Sequence, residues 1–191
     1  MVNFVKLSEI AEILPGKIIA SSNSQNGKSI SYVRITDMEN YSINTKNTKK
    51  IKTDQKTLDK IPKKFILKSG DVLLSTQATI GKTAIVTSKT SGNFFSSAIL
   101  ALRTNSEIKS EYLHCVLNSK KIQEQLQKSA KGTVILRIQN QIIRDLKIPI
   151  VSAKKQQETI TKFKNLTKAI ESNTKTLEKS KKELSNFQII N

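Results

Sequence analysis

Three places in the sequence carry residue types that can do chemistry, and each lacks something its reaction needs. Gly81-Lys82-Thr83 follows an apolar run, as the end of a phosphate-binding loop does, yet the pattern requires glycine five positions before Gly81, and Thr76 stands there. The β-branched run Thr83 to Thr87 then reads as a strand, whereas phosphates are held at a helix N-terminus. Acid-x-Lys triplets at Asp54-Gln55-Lys56, Glu107-Ile108-Lys109 and Asp145-Leu146-Lys147 are what chance gives among 29 lysines. None has the strand-borne companion carboxylates that would hold a metal. His114 and Cys115 are adjacent on a predicted helix and point in different directions, so they read as packing residues rather than a nucleophile and its base. A single Cys and a single His also exclude a disulfide framework and a structural zinc site. The sequence therefore predicts no catalytic residue, no metal and no cofactor of its own.

The chemistry that remains is hydrogen bonding and positive charge. Lys+Arg number 33 against 15 Asp+Glu, a net charge of +18, of which residues 1–151 carry +13 and residues 152–191 carry +5. That excess is beyond what solubility needs and suits attraction to a nucleic-acid polyanion. Arg and Lys pair with guanine, and Asn and Gln with adenine, from loops that reach a groove. Candidates are Asn23, Gln25, Asn26 and Lys28 in a polar loop, Arg34 beside it, and Gln77, Thr79 and Lys82 in a turn. Lys131, Arg137, Gln139 and Asn140 follow a helix and complete the set. Each also reads plainly as a solvated or turn-stabilising side chain, and Gly81 and Gly132 read as backbone requirements.

These residues need a scaffold, and 37 % hydrophobic residues supply a core for it. A short helix is expected over Leu7 to Ile13, closed by Pro15-Gly16. Residues 21–29 read as an exposed loop, Tyr32 to Thr36 as a strand, and 40–64 as an irregular Lys-rich excursion. Val72 to Ser75, Thr83 to Thr87 and Phe94 to Arg103 read as strands, and 107–129 as one amphipathic helix stopped near Gly132. A short helical segment at Asn140 to Asp145 precedes an edge strand or extended stretch at Leu146 to Val151. No apolar run approaches the roughly 18 residues of a membrane span, and no secretory signal opens the chain, so a cytoplasmic location without membrane contact is expected.

After Ser152 the pattern changes. From Ala153 to Gln188 there is neither Gly nor Pro, and Phe163, Ile170, Leu177 and Leu184 recur every seven residues. Leu166, Asn173, Ser180 and Phe187 follow three residues after each, which makes a heptad seam. A helix of this length outruns a domain of about 150 residues, so it should project and pair, with the homodimer as the simplest partner. The chain thus divides into a globular domain at 1–151 and a dimerisation or spacer helix at 152–191.

Several segments together resemble the specificity subunit of type I restriction–modification systems. They are Val5 to Ile13, Tyr32-Val33-Arg34-Ile35-Thr36-Asp37, the stretch LKSGDVLLSTQATIGKTAIV at 67–86 and YLHCVLNS at 112–119. Lys131-Gly132-Thr133 followed by Arg137-Ile138, and Leu146 to Ile150 leading to Gln156-Gln157, complete the match. The resemblance implies an α+β fold: a target recognition domain with a twisted β-sheet and flanking helices, followed by a long coiled-coil helix. It implies a non-catalytic DNA-recognition role on a bipartite target of double-stranded DNA. The implied partners are a methyltransferase (modification) subunit, which uses S-adenosylmethionine, and a restriction subunit, which uses ATP. Family members usually carry two recognition domains and two helical regions, whereas this sequence has one of each, so it resembles a half-size subunit, either natural or truncated. The family's Pro-rich junction before the helix is replaced by Val151-Ser152-Ala153-Lys154. A stand-alone dimeric DNA-binding regulator and an RNA-binding or structural assembly protein share the charge and the coiled coil.

Overall fold

The computed structural model describes residues 2–21, 27–39, 41–46, 48–132 and 135–187. In chain order the elements are β1 (Asn3–Lys6), α1 (Leu7–Ile10), β2 (Ala11–Pro15), β3 (Lys28–Val33), β4 (Met38–Glu39) and β5 (Ser42–Ile43). They continue with β6 (Lys49–Thr53), α2 (Gln55–Asp59), β7 (Val72–Ser75), β8 (Thr83–Ile85), β9 (Phe94–Phe95) and β10 (Ile99–Thr104). The last are α3 (Ser110–Leu117), α4 (Lys120–Lys128), α5 (Asn140–Arg144), β11 (Lys147–Ile150) and α6 (Ala153–Ser185).

A four-stranded sheet of order β2-β10-β7-β8, antiparallel throughout, lies between two apolar layers. Successive strand residues face opposite sides, so Val72, Leu74, Leu100 and Leu102 join one cluster while Leu73, Ile99 and Ala101 join the other. Covering both faces is why β7 and β10 read as continuous apolar runs rather than alternating ones. The first layer holds α3, α4, α5, the β1–β11 ribbon and Ile160 of α6. The second is closed by Val33, Met38, Ile43, Leu67 and Phe95. Buried Asp71 takes two hydrogen bonds from Arg103, at 2.9 and 2.8 Å, and a third from the Lys68 amide, so the turn into β7 is tied to β10.

Several expected elements differ for identifiable reasons. The Leu7–Ile13 helix is a single turn, because Ala11 is extended (φ −147°, ψ 139°) and β2 pairs with β10, Ile13 opposite Leu102. The strand expected at Tyr32–Thr36 starts at Lys28 and stops at Val33, where the Asp37 carboxylate accepts from the Arg34 amide and fixes a 3-10 turn over Ile35–Asp37. The stretch read as irregular at 40–64 contains β6, which pairs antiparallel with β3 and buries Ile51 and Thr53 between exposed lysines. It also contains α2, capped by Asp54. The strand expected at Phe94–Arg103 splits: β9 pairs parallel with β3, and β10 joins the four-stranded sheet. The helix expected at 107–129 breaks at Asn118, whose amide turns back to the His114 carbonyl at 2.7 Å and meets the Thr83 hydroxyl at 2.7 Å.

The α6 helix is about 50 Å long at 1.5 Å per residue over its 33 residues, and only its first turns touch the domain. Gln156 and Ile160 are buried and Phe163 is half-buried; Leu166, Ile170 and Leu177 are each more than half exposed. The Gln156 carboxamide is the joint. Its Oε1 accepts from the Lys109 amide at 2.9 Å, and its Nε2 donates to the Val151 carbonyl at 3.2 Å and the Glu107 carbonyl at 3.3 Å.

Candidate DNA interface

Four of the residues singled out for base contact lie around one cavity of about 300 Å³: Gln77, Arg137, Gln139 and Asn140. They come from distant parts of the chain, and backbone pairing brings them together. The Ala78 amide donates to the Leu136 carbonyl at 3.0 Å and the Ile138 amide to the Thr76 carbonyl at 3.0 Å, so 136–138 lies alongside the end of β7. On its other side Arg137 and Lys131 exchange both backbone hydrogen bonds, at 3.0 and 2.9 Å. Lys131 is therefore one backbone pairing away from the cavity. Gly132 sits at φ +130°, and a Cβ there would overlap the Ile135 carbonyl, so this turn needs glycine. The Arg137 guanidinium reaches the Gln77 Oε1 at 3.4 Å while remaining exposed, and Gln77 Nε2 in turn approaches the Ser97 carbonyl at 3.4 Å.

The remaining candidates are spread more widely. Lys82 is half-buried and its Nζ donates to the Ile35 carbonyl at 3.4 Å, across to the 3-10 turn that follows Arg34. Arg34 is bound to Asp37 through Nη2 at 2.9 Å and Nε at 3.3 Å, and this pairing raises its pKa. Thr79 is exposed in the turn after β7, and Lys28 is exposed at the start of β3. Asn23, Gln25 and Asn26 lie outside the described residues. On β3 and β6, Ser29 faces Lys52 and Ser31 faces Lys50, a polar, basic face opposite buried Ile51. Residues missed by the sequence reading are Ile135 and Leu136, 58 % and 45 % exposed next to Arg137. Two large apolar side chains in a Gly- and Lys-flanked turn, with no amphipathic partner segment, were the available signal.

The groups weighed for catalysis hold the fold together. Asp54 accepts the Thr57 amide at 2.7 Å as a helix cap, and Asp145 pairs with Lys6 at 2.8 Å; each contact lowers the carboxyl pKa. Glu107 uses its backbone carbonyl to receive Gln156. Thr83 starts β8, and its hydroxyl lies 3.1 Å from His114 Nε2. Burial lowers His114 to a pKa of about 4 and raises the Cys115 thiol to about 11, so neither is poised as a base or a thiolate near neutrality. Among the described residues no three His, Cys, Asp or Glu side chains cluster as metal ligands, and no helix is long and apolar enough to cross a membrane.

The family model of the type I restriction modification DNA specificity domain matches residues 1–182. The chain belongs to this family. A domain of this family recognises DNA and is not a catalytic unit. No curated protein matches the sequence.

Three solved structures share the fold. One, described as the structural basis of complex assembly and conformational transition of the type I R-M system, has a TM-score of 0.68 at 15 % identity over 96 % of this chain. The HsdS subunit from Thermoanaerobacter tengcongensis gives 0.60 at 16 % identity over 94 % of this chain. The type I restriction–modification S subunit from M. genitalium gives 0.62 at 15 % identity over 95 %. The chain spans less than half of each, 43, 39 and 43 % of their respective lengths.

Proposed function

We propose that residues 1–151 read one half of a bipartite site on double-stranded DNA and that α6 pairs with α6 of a second copy to place two such domains on the duplex. The complex would direct a methyltransferase subunit, and a restriction subunit where one is present, to that site in the cytoplasm. The convergence of Gln77, Arg137, Gln139 and Asn140 on one cavity carries the reading. Arginine can grip guanine O6 and N7, the carboxamides can grip adenine, and Ile135 and Leu136 offer apolar contact to a thymine methyl. The surrounding lysines supply phosphate attraction without sequence content.

The exposed stripe of α6 supports the pairing. Leu166, Ile170 and Leu177 are 55, 60 and 55 % exposed, and Leu184 and Phe187 are each 75 % exposed. Asn173 and Ser180 interrupt the stripe and favour one register over others. Phe163, by contrast, packs against its own domain, with ring centroids 5.3 Å from Tyr41 and 5.5 Å from His114, so the free seam starts at Leu166.

Two identical domains related by a two-fold axis read an inverted repeat, because each half-site meets the same side chains. The test is to express the protein with its methyltransferase partner and sequence DNA methylation in the host. The expected motif is palindromic, with two specified halves and a fixed unread gap. An asymmetric motif would mean pairing with a different recognition domain, and a motif without a gap would exclude the spacer role of α6.

A further inference from the structure

Among the described residues of 27–151, the large hydrophobic side chains left exposed are Tyr41, Ile135 and Leu136. Tyr41 packs edge-on against His114 and Phe163, which leaves Ile135 and Leu136 as an adjacent apolar pair facing solvent. We propose that this pair is a wedge that enters the base stack beside the bases gripped by Arg137, and that each half-site therefore contains a flexible pyrimidine–purine step, TA or CA/TG. The proposal rests on the DNA-reading role given above and goes beyond a methyl contact: it adds a deformation of the duplex and a specificity read from the cost of that deformation.

Charge around the pair selects the occupant. Residues 125–144 contain Lys128, Lys131, Arg137 and Arg144 and no Asp or Glu. An apolar tip framed only by cations fits a partner that is anionic outside and apolar within, as a stacked duplex is. The carboxamides of Gln77, Gln139 and Asn140 around the adjoining cavity match base edges, which a lipid surface does not offer.

The backbone is built to hold the pair rigid. Lys131 and Arg137 exchange both backbone hydrogen bonds, at 3.0 and 2.9 Å, and close the turn that carries Ile135 and Leu136. Its returning arm is pinned to the end of β7 by the Ala78 amide on the Leu136 carbonyl at 3.0 Å and the Ile138 amide on the Thr76 carbonyl at 3.0 Å. Ala78 makes its bond from φ 56°, a left-handed conformation that residues with a Cβ rarely adopt, so strain is accepted where the tip is anchored. Opening a base step sacrifices stacking, and a tip free to fold back would yield before the duplex did. A branched aliphatic side chain then fills the opened step without carrying a polar atom into it. Pyrimidine–purine steps open most easily, so the wedge favours half-sites that hold one at the right place, with no hydrogen bond to either base.

The test uses the full chain with its methyltransferase partner and duplexes carrying the methylation motif, in which 2-aminopurine replaces single adenines. The adenine that the partner methylates is left unlabelled, because a methyltransferase takes that base out of the stack itself. Binding should brighten one probe severalfold, at a TA or CA/TG step, and Ile135→Ala with Leu136→Ala should abolish the rise. Both side chains are exposed, so the double variant should melt with wild type; it should bind the motif at least about 10-fold more weakly, with a smaller loss on random duplex. If uracil in place of the half-site thymines reproduces the loss while no probe brightens, the pair touches a methyl group and the wedge is overturned with the DNA reading intact. A rise that survives the double variant, or a motif whose halves lack such a step, would equally overturn it. Unchanged affinity of the double variant would place the pair off the DNA, against a protein. A wild-type complex that does not distinguish the motif from random duplex would take down the proposed function itself.

Discussion

Replacing Gln156 with alanine should loosen α6 from the domain without touching either proposed binding surface. The side chain is 4 % exposed and makes three hydrogen bonds, to the Lys109 amide, the Glu107 carbonyl and the Val151 carbonyl. A neutral hydrogen bond contributes about 1 kcal/mol net, and partners left unpaired in a buried joint raise the loss, so the total should be about 2–3 kcal/mol. For a chain of 191 residues each kcal/mol moves Tm by about 2–4 °C, which places the variant roughly 5–10 °C below wild type. Gln157→Ala is the control: it sits one residue on, exposed, and its side-chain Oε1 accepts from the exposed Lys109 Nζ at 2.7 Å, so its effect should stay within about 0.5 kcal/mol. Circular dichroism melts of both variants decide the matter. If Gln156→Ala melts within a degree of Gln157→Ala, the carboxamide is not the joint described above.

His114 should make stability pH-dependent. Its folded pKa of about 4 lies below the unfolded value of 6.5, so the unfolded state takes up the proton first as pH falls. Stability contributed by the neutral ring is full above about pH 7 and is lost progressively down to about pH 4, by on the order of 3 kcal/mol. His114→Gln should flatten the profile across that window; a variant profile parallel to wild type would contradict the assignment. Arg137→Ala should cost about 1–3 kcal/mol on the cognate half-site and little on random DNA, as read by fluorescence anisotropy, whereas equal losses on both would make it a phosphate contact. With about six phosphates neutralised, log K should fall against log salt with a slope near −5, and an affinity indifferent to salt would point to a protein partner instead. Ile170→Asp with Leu177→Asp should yield monomers by light scattering with the melting of the globular domain unchanged; retained dimers would place the interface elsewhere.

Elements built from local signals were legible in the sequence: β7 between its turns, α5, and above all α6, whose long run without Gly or Pro needs no tertiary context. What failed was pairing at long range. Ile10, Ile13 and Leu14 carry helical spacing, yet β2 forms because β10, some ninety residues later, supplies the hydrogen bonds. The same holds for β6, where lysines obscured a strand that β3 selects. At the candidate interface, residue type alone singled out Gln77, Arg137, Gln139 and Asn140 as candidates, because few side chains can grip a base. It could not say that these four meet while Arg34 is bound to Asp37, since that depends on where a turn closes. Phe163 was assigned to the seam by its phase, but the contact with Tyr41 and His114 depends on how α6 leans on α3.

The point at which α6 leaves the domain has a consequence for how the duplex is approached. Ile160 is its last fully buried residue. If α6 pairs with a second copy about a two-fold axis level with Glu171 and Ser172, midway between exposed Leu166 and Leu177, the two Ile160 positions are about 35 Å apart along the helix pair. That is close to one turn of B-DNA, which would set both domains on the same side of the double helix. Adding one heptad at the axis would keep the seam in phase while widening this separation by about 10.5 Å, or roughly three base pairs. The second domain would then have to swing by roughly 100° around the duplex to find its half-site. On the proposed pairing, helix length would govern rotational phase as well as distance, and only those lengths whose twist the joint at Gln156 can absorb would yield a working pair.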